Sequence, residues 1–390
     1  MRRYVVLAAS LLVQVCLGGI YAWSAFVPEL VQRYRLSVFE SQFVFGAQIA
    51  VFALAMIPAG RYLERRGPTF LLAISGGLFF VGYLLASLSH GSFTVLVIGI
   101  SVTVGVAIGF GYVCPLSVCM RWFPSQKGLV TGIAVAGFGV GAILLATVTE
   151  RLMLHGMDVL TIFRFVGVVY GATILGGSLL IVFPPVSDRR QVPNRVPMST
   201  RDVLRDVFFW LLIIGMFCAT FAGLLIIGNL KSTALSWGFS AGTATLGISV
   251  FAVGNASGRI VWGGIADRLK MTTVYLSLAV LASSILVLLW SHTAFIFLGA
   301  TFLVGFGFGA SFVVYAAMVA YRFGAQRFPS IYPLVFLAYG FAGIVGPSVG
   351  GWLNDITGAA TAPLVVSAAI VASGLVAIGA IRRWGLRTSR

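Results

Sequence analysis

Apolar stretches long enough to cross a lipid bilayer recur about twelve times in this 390-residue chain, and they leave few folds open. They cover roughly 4–29, 41–60, 68–88, 93–120, 128–150, 160–183, 207–230, 241–264, 271–290, 294–320, 329–353 and 361–381. Each approaches or exceeds the ~20 residues a helix needs to span the hydrocarbon core. Hydrophobic residues make up 59% of the chain and charged residues 9%, against about a quarter charged in soluble domains. No amphipathic stripe hides that much apolar surface from water, so the expected fold is an all-α integral membrane protein. The run at 4–28 is too long for the apolar core of a signal peptide and is expected to be the first span.

Connections are short, so successive helices should be antiparallel. The exception is the proline- and charge-rich "PPVSDRRQVPNRVPMSTRDVLRD" at 184–206, expected to be a cytoplasmic linker between six-helix bundles at 1–183 and 207–390. Of the 26 lysines and arginines, twenty lie in the linker, the two termini and the connections that share one side with them. Only Arg33, Arg35, Arg151, Arg164 and Lys231 fall on the other side. The basic excess marks the cytoplasmic face. Both termini are therefore expected there, in a cell (inner or plasma) membrane. The net charge of +16 reflects this topology rather than nucleic-acid binding. Cys16, Cys114, Cys119 and Cys218 sit in apolar segments as packing residues, and His90, His155 and His292 sit in connections. Neither a metal centre nor a cofactor is expected.

The halves echo one another. "GRYLERRG" (60–67) matches "GGIADRLK" (263–270), "SHGSF" (89–93) matches "SHTAF" (291–295), and "MRWFPSQKG" (120–128) is loosely matched by "YRFGAQRFP" (321–329). One offset of about 200 residues runs through all three, the mark of an internal duplication. Such repeats commonly hold a substrate near the bilayer midplane. The repeated Gly-x-x-x-acid-Arg signature resembles that of the major facilitator superfamily, which implies twelve helices in two pseudo-symmetric bundles. Gly60 and Gly263 allow close helix packing. Glu64 and Asp267 are placed to pair with a neighbouring arginine, such as Arg65 or Arg268, or to accept from a helix N-terminus, latching one cytoplasmic closure. Glu64 stands where aspartate is usual, and Pro68 and Lys270 interrupt the usual ending.

A narrower resemblance rests on "GGIYAWSAF" (18–26), "GFGYVCPLSVCMRWFPSQKGLVTGIAVAGFGVGA" (109–142) and "YRFGAQRFPSIYPLVFLAYGFAGIVGP" (321–347). These are similar to the oxalate/formate antiporter family, relatives of the animal monocarboxylate transporters, and imply a carrier of small carboxylates. Arg259 matches the eighth-span arginine that meets the substrate carboxylate in those families. Read from its own surroundings, Arg259 lies in an apolar span with no acid within a helical turn on either side. An intramembrane arginine usually faces the bundle interior or a wet cavity. The alternative is snorkelling to the helix end at Asp267, eight residues or about 12 Å away. Gly254, Gly258, Gly263 and Gly264 favour a packed interior. Guanidinium keeps its charge and offers two parallel donors to a carboxylate.

Asn255 at i−4 can orient Arg259 or donate to substrate. In the animal relatives that position is typically aspartate, so the resemblance carries no proton relay to this site. Oxalate carriers use a span-11 lysine for the second carboxylate, whereas span 11 here has no Lys or Arg and Tyr339 aligns best with that lysine. One cation serves one carboxylate, so a monocarboxylate such as lactate, formate, acetate or pyruvate is expected.

Tyr21, Tyr112, Tyr315 and Tyr339 are further wall candidates, with Gln14 behind them; Gln48, Asn229 and Trp23 are weaker ones. Each tyrosine has a plain alternative as a packing or interface residue. Pro115 and Pro347 are expected to kink helices. No nucleotide-binding loop and no nucleophile–base pair is evident, so transport is expected to be secondary and the chain not an enzyme. Carrying an anion inward against an inside-negative potential costs about 2.3 kcal/mol per 100 mV. A co-transported proton or an exchanged anion would cancel that charge. The alternatives are an oxalate-type dicarboxylate antiporter and a carrier or sensor of a larger non-carboxylate substrate. A monomer is expected.

Overall fold

In the computed structural model the apolar runs fold as helices, and no strand occurs among the described residues, which are 2–185, 200–357, 359 and 361–388. The helices are α1 (Arg2–Gly18), α2 (Trp23–Gln32), α3 (Val38–Ser87), α4 (Phe93–Leu96), α5 (Gly105–Trp122), α6 (Lys127–Leu154), α7 (Val159–Leu180) and α8 (Thr200–Arg205). They continue with α9 (Val207–Ser236), α10 (Ala241–Leu269), α11 (Thr272–Leu289), α12 (Ala294–Phe323), α13 (Phe328–Thr357) and α14 (Ala362–Thr388). A 3-10 turn at Gly19–Ala22 joins α1 to α2, and a π-helical segment at Val97–Val104 joins α4 to α5. Within hydrocarbon every backbone polar group must be satisfied inside its own segment, which is why the spans are helical.

Among the described residues, eleven helices are long and apolar enough to cross a membrane. One of them, α3, has 50 residues. Straight, it would measure about 75 Å, more than twice the hydrocarbon thickness. It breaks at Gly67, whose φ of 80° is open to glycine, and Pro68 follows at the start of a new helix. The expected runs at 41–60 and 68–88 are its two arms. Of the expected linker at 184–206, residues 186–199, with Arg189, Arg190 and Arg195, lie outside the described residues.

Several of the few acids are spent on helix starts, where unsatisfied amides and the helix dipole favour negative charge. Glu40 closes a capping box with Ser37 at α3. Asp158 caps α7 through the Leu160 amide, and Asp206 caps α9 through the Phe208 amide.

The chain packs as two compact units. The first comprises Met1–Pro124, Ile133–Pro184 and Ala325–Pro333, and the second Ser125–Gly132, Pro185–Gly324 and Leu334–Arg390. They depart from halves at 1–183 and 207–390 in two short stretches, the start of α6 and the start of α13. In the first unit α3 packs against α5 and α7, and α1 against the same two helices. In the second α10 packs against α12, and α9 against α14.

Candidate functional site

Four glycines set Arg259 in the second unit. A Cβ at Gly254 would lie 2.2 Å from the Phe302 carbonyl oxygen, and one at Gly258 2.3 Å from that of Phe306. From the facing helix, Gly305 would meet the Phe251 carbonyl at 2.2 Å and Gly309 the Asn255 carbonyl at 2.4 Å. Only glycine admits such approach, so α10 and α12 touch backbone to backbone. Trp262 fastens the seam by donating from Nε1 to the Phe306 carbonyl, 3.1 Å away.

Arg259 is 1% exposed, and its Nε donates to Asn255 Oδ1 at 3.1 Å. Its Cζ lies 4.5 Å from the centre of the Phe312 ring. That cation–π contact is worth about 0.5–2 kcal/mol, more where water is excluded. Phe312 in turn meets Tyr339 edge-on at 5.2 Å, and Tyr339 lies 5.0 Å from Phe336. Asn255 thus meets Arg259 directly, and Tyr339 is joined to Arg259 through Phe312, which sequence reading passed over. The helix partner Asn255 is neutral.

Tyr315 of α12 lies against α9. A Cβ at Gly215 of α9 would be 2.7 Å from its hydroxyl, and Ile378 of α14 borders the same spot. Tyr315 is three residues from Phe312, on the same side of α12, and its ring end reaches α9 and α14. Its hydroxyl is buried without a hydrogen-bond partner among the described residues.

The first unit holds the other wall candidates. Gln14 donates from Nε2 to the Tyr112 carbonyl at 3.3 Å, tying α1 to α5. Tyr112 packs edge-on against Phe52 at 5.3 Å and Phe138 at 5.4 Å, and Tyr21 meets Phe138 at 5.5 Å. Tyr21 and Tyr112 therefore share Phe138, and Gln14 is tied to the Tyr112 backbone. Gln48 is buried nearby in sequence to Phe52, and its Nε2 has no partner among the described residues. Trp23 donates to the Ser41 carbonyl at 2.9 Å, and Asn229 to the Leu225 carbonyl of its own helix at 2.8 Å.

The signature residues work differently in the two units. In the second, Asp267 at the end of α10 caps α6. Its Oδ1 accepts from the Gly128 amide at 2.6 Å and its Oδ2 from the Leu129 amide at 2.9 Å. Tyr321 adds its hydroxyl to Oδ1 at 2.6 Å. Lys127 Nζ lies over the Tyr321 ring at 5.0 Å. Gly128 and Gly263 pack mutually, and a Cβ at Gly132 would lie 2.2 Å from the Arg259 carbonyl. The capped turn of α6 thus rests on the backbone of Arg259 itself. In the first unit Gly60 lies against the Pro329 carbonyl, and Glu64 accepts from the Ser330 hydroxyl. Both acids bond to helix-start groups or hydroxyls, and among the described residues neither forms an ion pair with Arg65 or Arg268, which are exposed.

The sequence model of the Major Facilitator Superfamily matches residues 8–232 and 212–388. The chain belongs to the Major Facilitator Superfamily. Among relatives in the superfamily, an uncharacterized MFS-type transporter, YhjX, of Escherichia coli (strain K12) is 28% identical over 348 residues, covering 88% of this chain and 86% of its own length. The oxalate:formate antiporter of Oxalobacter formigenes is 24% identical over 372 residues, covering 93% and 87%. Apicoplast pyruvate carrier 1 of Toxoplasma gondii is 24% identical over 440 residues, covering 84% and 79%. Among solved structures, the transporter FucP in the outward conformation superposes with a TM-score of 0.70 at 15% identity, covering 96% of this chain and 98% of FucP. That likeness fixes the facilitator fold, and the chain is a multi-pass membrane transporter.

Proposed function

We propose that this facilitator is a secondary carrier of small monocarboxylates, working by alternating access, with Arg259 as the anchor for the carboxylate. The observation that carries the proposal is a guanidinium 1% exposed inside an apolar helix, whose helix partner is the neutral Asn255. Burying a charge is expensive, and intramembrane charges mark substrate pathways. Phe312 lies under the guanidinium, its ring centre 4.5 Å from Cζ, and a guanidinium pairs with a carboxylate through two parallel N–H donors. Tyr339 packs edge-on against Phe312. Tyr315 is a further candidate in the second unit, and Gln14, Tyr21 and Tyr112 are the candidates of the first unit taken by itself.

Two relatives carry carboxylates by name, the oxalate:formate antiporter and the pyruvate carrier. Between one carboxylate and two, α13 favours one, because Phe328–Thr357 contains no Lys or Arg. Transport is coupled to a proton or to a counter-anion, which removes the cost of moving net charge. Asp267 and its partners, with Glu64 and Ser330, hold the signature connections as gating contacts. The basic excess of one set of connections supports a topology with both termini in the cytoplasm, and the reading takes the carrier as a monomer in the cell membrane.

The test is uptake of labelled lactate, formate, acetate, pyruvate and oxalate into proteoliposomes, with and without a pH gradient. Saturable uptake of one or more of the four monocarboxylates, in preference to oxalate, is expected. Uptake of oxalate alone would replace this proposal with the dicarboxylate one, and no uptake of any of the five would defeat it.

A further inference from the structure

The connection after α2 carries a charge cluster that the substrate site does not use. Arg33 Nη1 lies 3.3 Å from Glu29 Oε1 and 3.4 Å from Asp158 Oδ1, so two carboxylates converge on one nitrogen. Asp158 also accepts from the Tyr34 hydroxyl at 2.6 Å, and its other oxygen from the Leu160 amide at 3.2 Å. Glu29 accepts from the Val159 amide at 3.3 Å. The cluster joins the end of α2 to the first turn of α7, within the first unit. Glu29 and Asp158 are mostly buried, with side chains 19% and 22% exposed. One arginine cannot neutralise two carboxylates, and like charges this close disfavour joint ionisation.

We propose that Glu29 takes up a proton in the folded protein, where its carboxyl and that of Asp158 converge on Arg33, and that this fastens α2 to the start of α7 and makes this end of the first unit respond to pH. With the cytoplasmic side assigned to the basic connections, this is the external side, and the clasp then senses the external medium. Burial raises the Glu29 carboxyl above its usual value, and the hydrogen bond and charge of Asp158 add to that, while the Val159 amide and Arg33 oppose it. Tyr34, pushed up to about 12 by burial and by Asp158, stays a donor. Glu40 on the neighbouring α3 is engaged in its capping box, and the turn of His90 and Gly91 meets the Tyr34 ring through Gly91.

The sign follows from linkage. A carboxyl whose value is raised on folding contributes stability at low pH and loses it as pH rises past 4.5 through the raised value. The experiment is thermal unfolding of the purified protein in detergent between pH 4.5 and 8, for wild type, Glu29→Gln and Arg33→Gln. Glutamine mimics the protonated acid, so Glu29→Gln should match wild type at pH 4.5 and unfold at a higher temperature at pH 8. Arg33→Gln removes the shared cation and should move the midpoint of the pH-dependent loss upward. A Glu29→Gln effect equal at every pH, or an unmoved midpoint in Arg33→Gln, would overturn the proposal. Neither result depends on transport, so the monocarboxylate proposal stands or falls separately.

Discussion

Replacing Asp267 by asparagine tests the cap on α6 at a single position. The Gly128 and Leu129 amides belong to the first turn of α6, where no intrahelical acceptor exists. In the native protein both go to the Asp267 carboxylate, at 2.6 and 2.9 Å, and Tyr321 adds its hydroxyl. Asparagine keeps one acceptor oxygen, which can still serve Gly128 and Tyr321. Its amide nitrogen then faces the Leu129 N–H, donor against donor. One charge-assisted bond is lost, about 2 kcal/mol. Since 1.4 kcal/mol is tenfold, the amides at the start of α6 should open roughly 30-fold more often. Hydrogen exchange followed by mass spectrometry on peptides covering 127–132 reads this directly. Exchange unchanged there, in a variant otherwise folded, would refute the cap as a source of stability.

Two further outcomes follow from the second unit. Gly309→Ala puts a Cβ 2.4 Å from the Asn255 carbonyl, so α10 and α12 must part, costing about 1–3 kcal/mol in thermal stability and raising KM. Gly299→Ala on the same helix meets nothing within 4 Å and should leave both unchanged. Tyr339→Lys supplies the second cation that α13 lacks, and should add oxalate to the substrates while weakening monocarboxylate uptake in the same proteoliposome assay.

The spans were legible because the bilayer allows one solution for a 20-residue apolar run, and Arg259 because a charge there has few reasons to exist. Phe312 was not legible. It is one of 31 phenylalanines, and nothing in its own segment says that an arginine of another helix lies over its ring. Tyr315 shows the converse, since depth in a span does not say which neighbour a hydroxyl meets, and its neighbour is Gly215. The acid of the repeated signature was readable as a latch, with arginine pairing and helix capping both open. Capping prevails at Asp267 because the bare amides of α6 lie within reach while Arg268 turns to the surface. The Tyr321 donor was invisible, being 54 residues away in sequence.

The measurement that bears most directly on Arg259 is proteoliposome uptake of the best-transported monocarboxylate by wild type, Arg259→Lys and Arg259→Gln at equal reconstitution. An anchor that works by charge and paired donors predicts no saturable uptake with glutamine. With lysine it predicts weak uptake at a KM raised at least about tenfold, because a point charge does not reproduce the guanidinium fork. Wild-type uptake by Arg259→Gln would contradict the account, and wild-type KM in Arg259→Lys would reject bidentate anchoring while leaving only a need for positive charge.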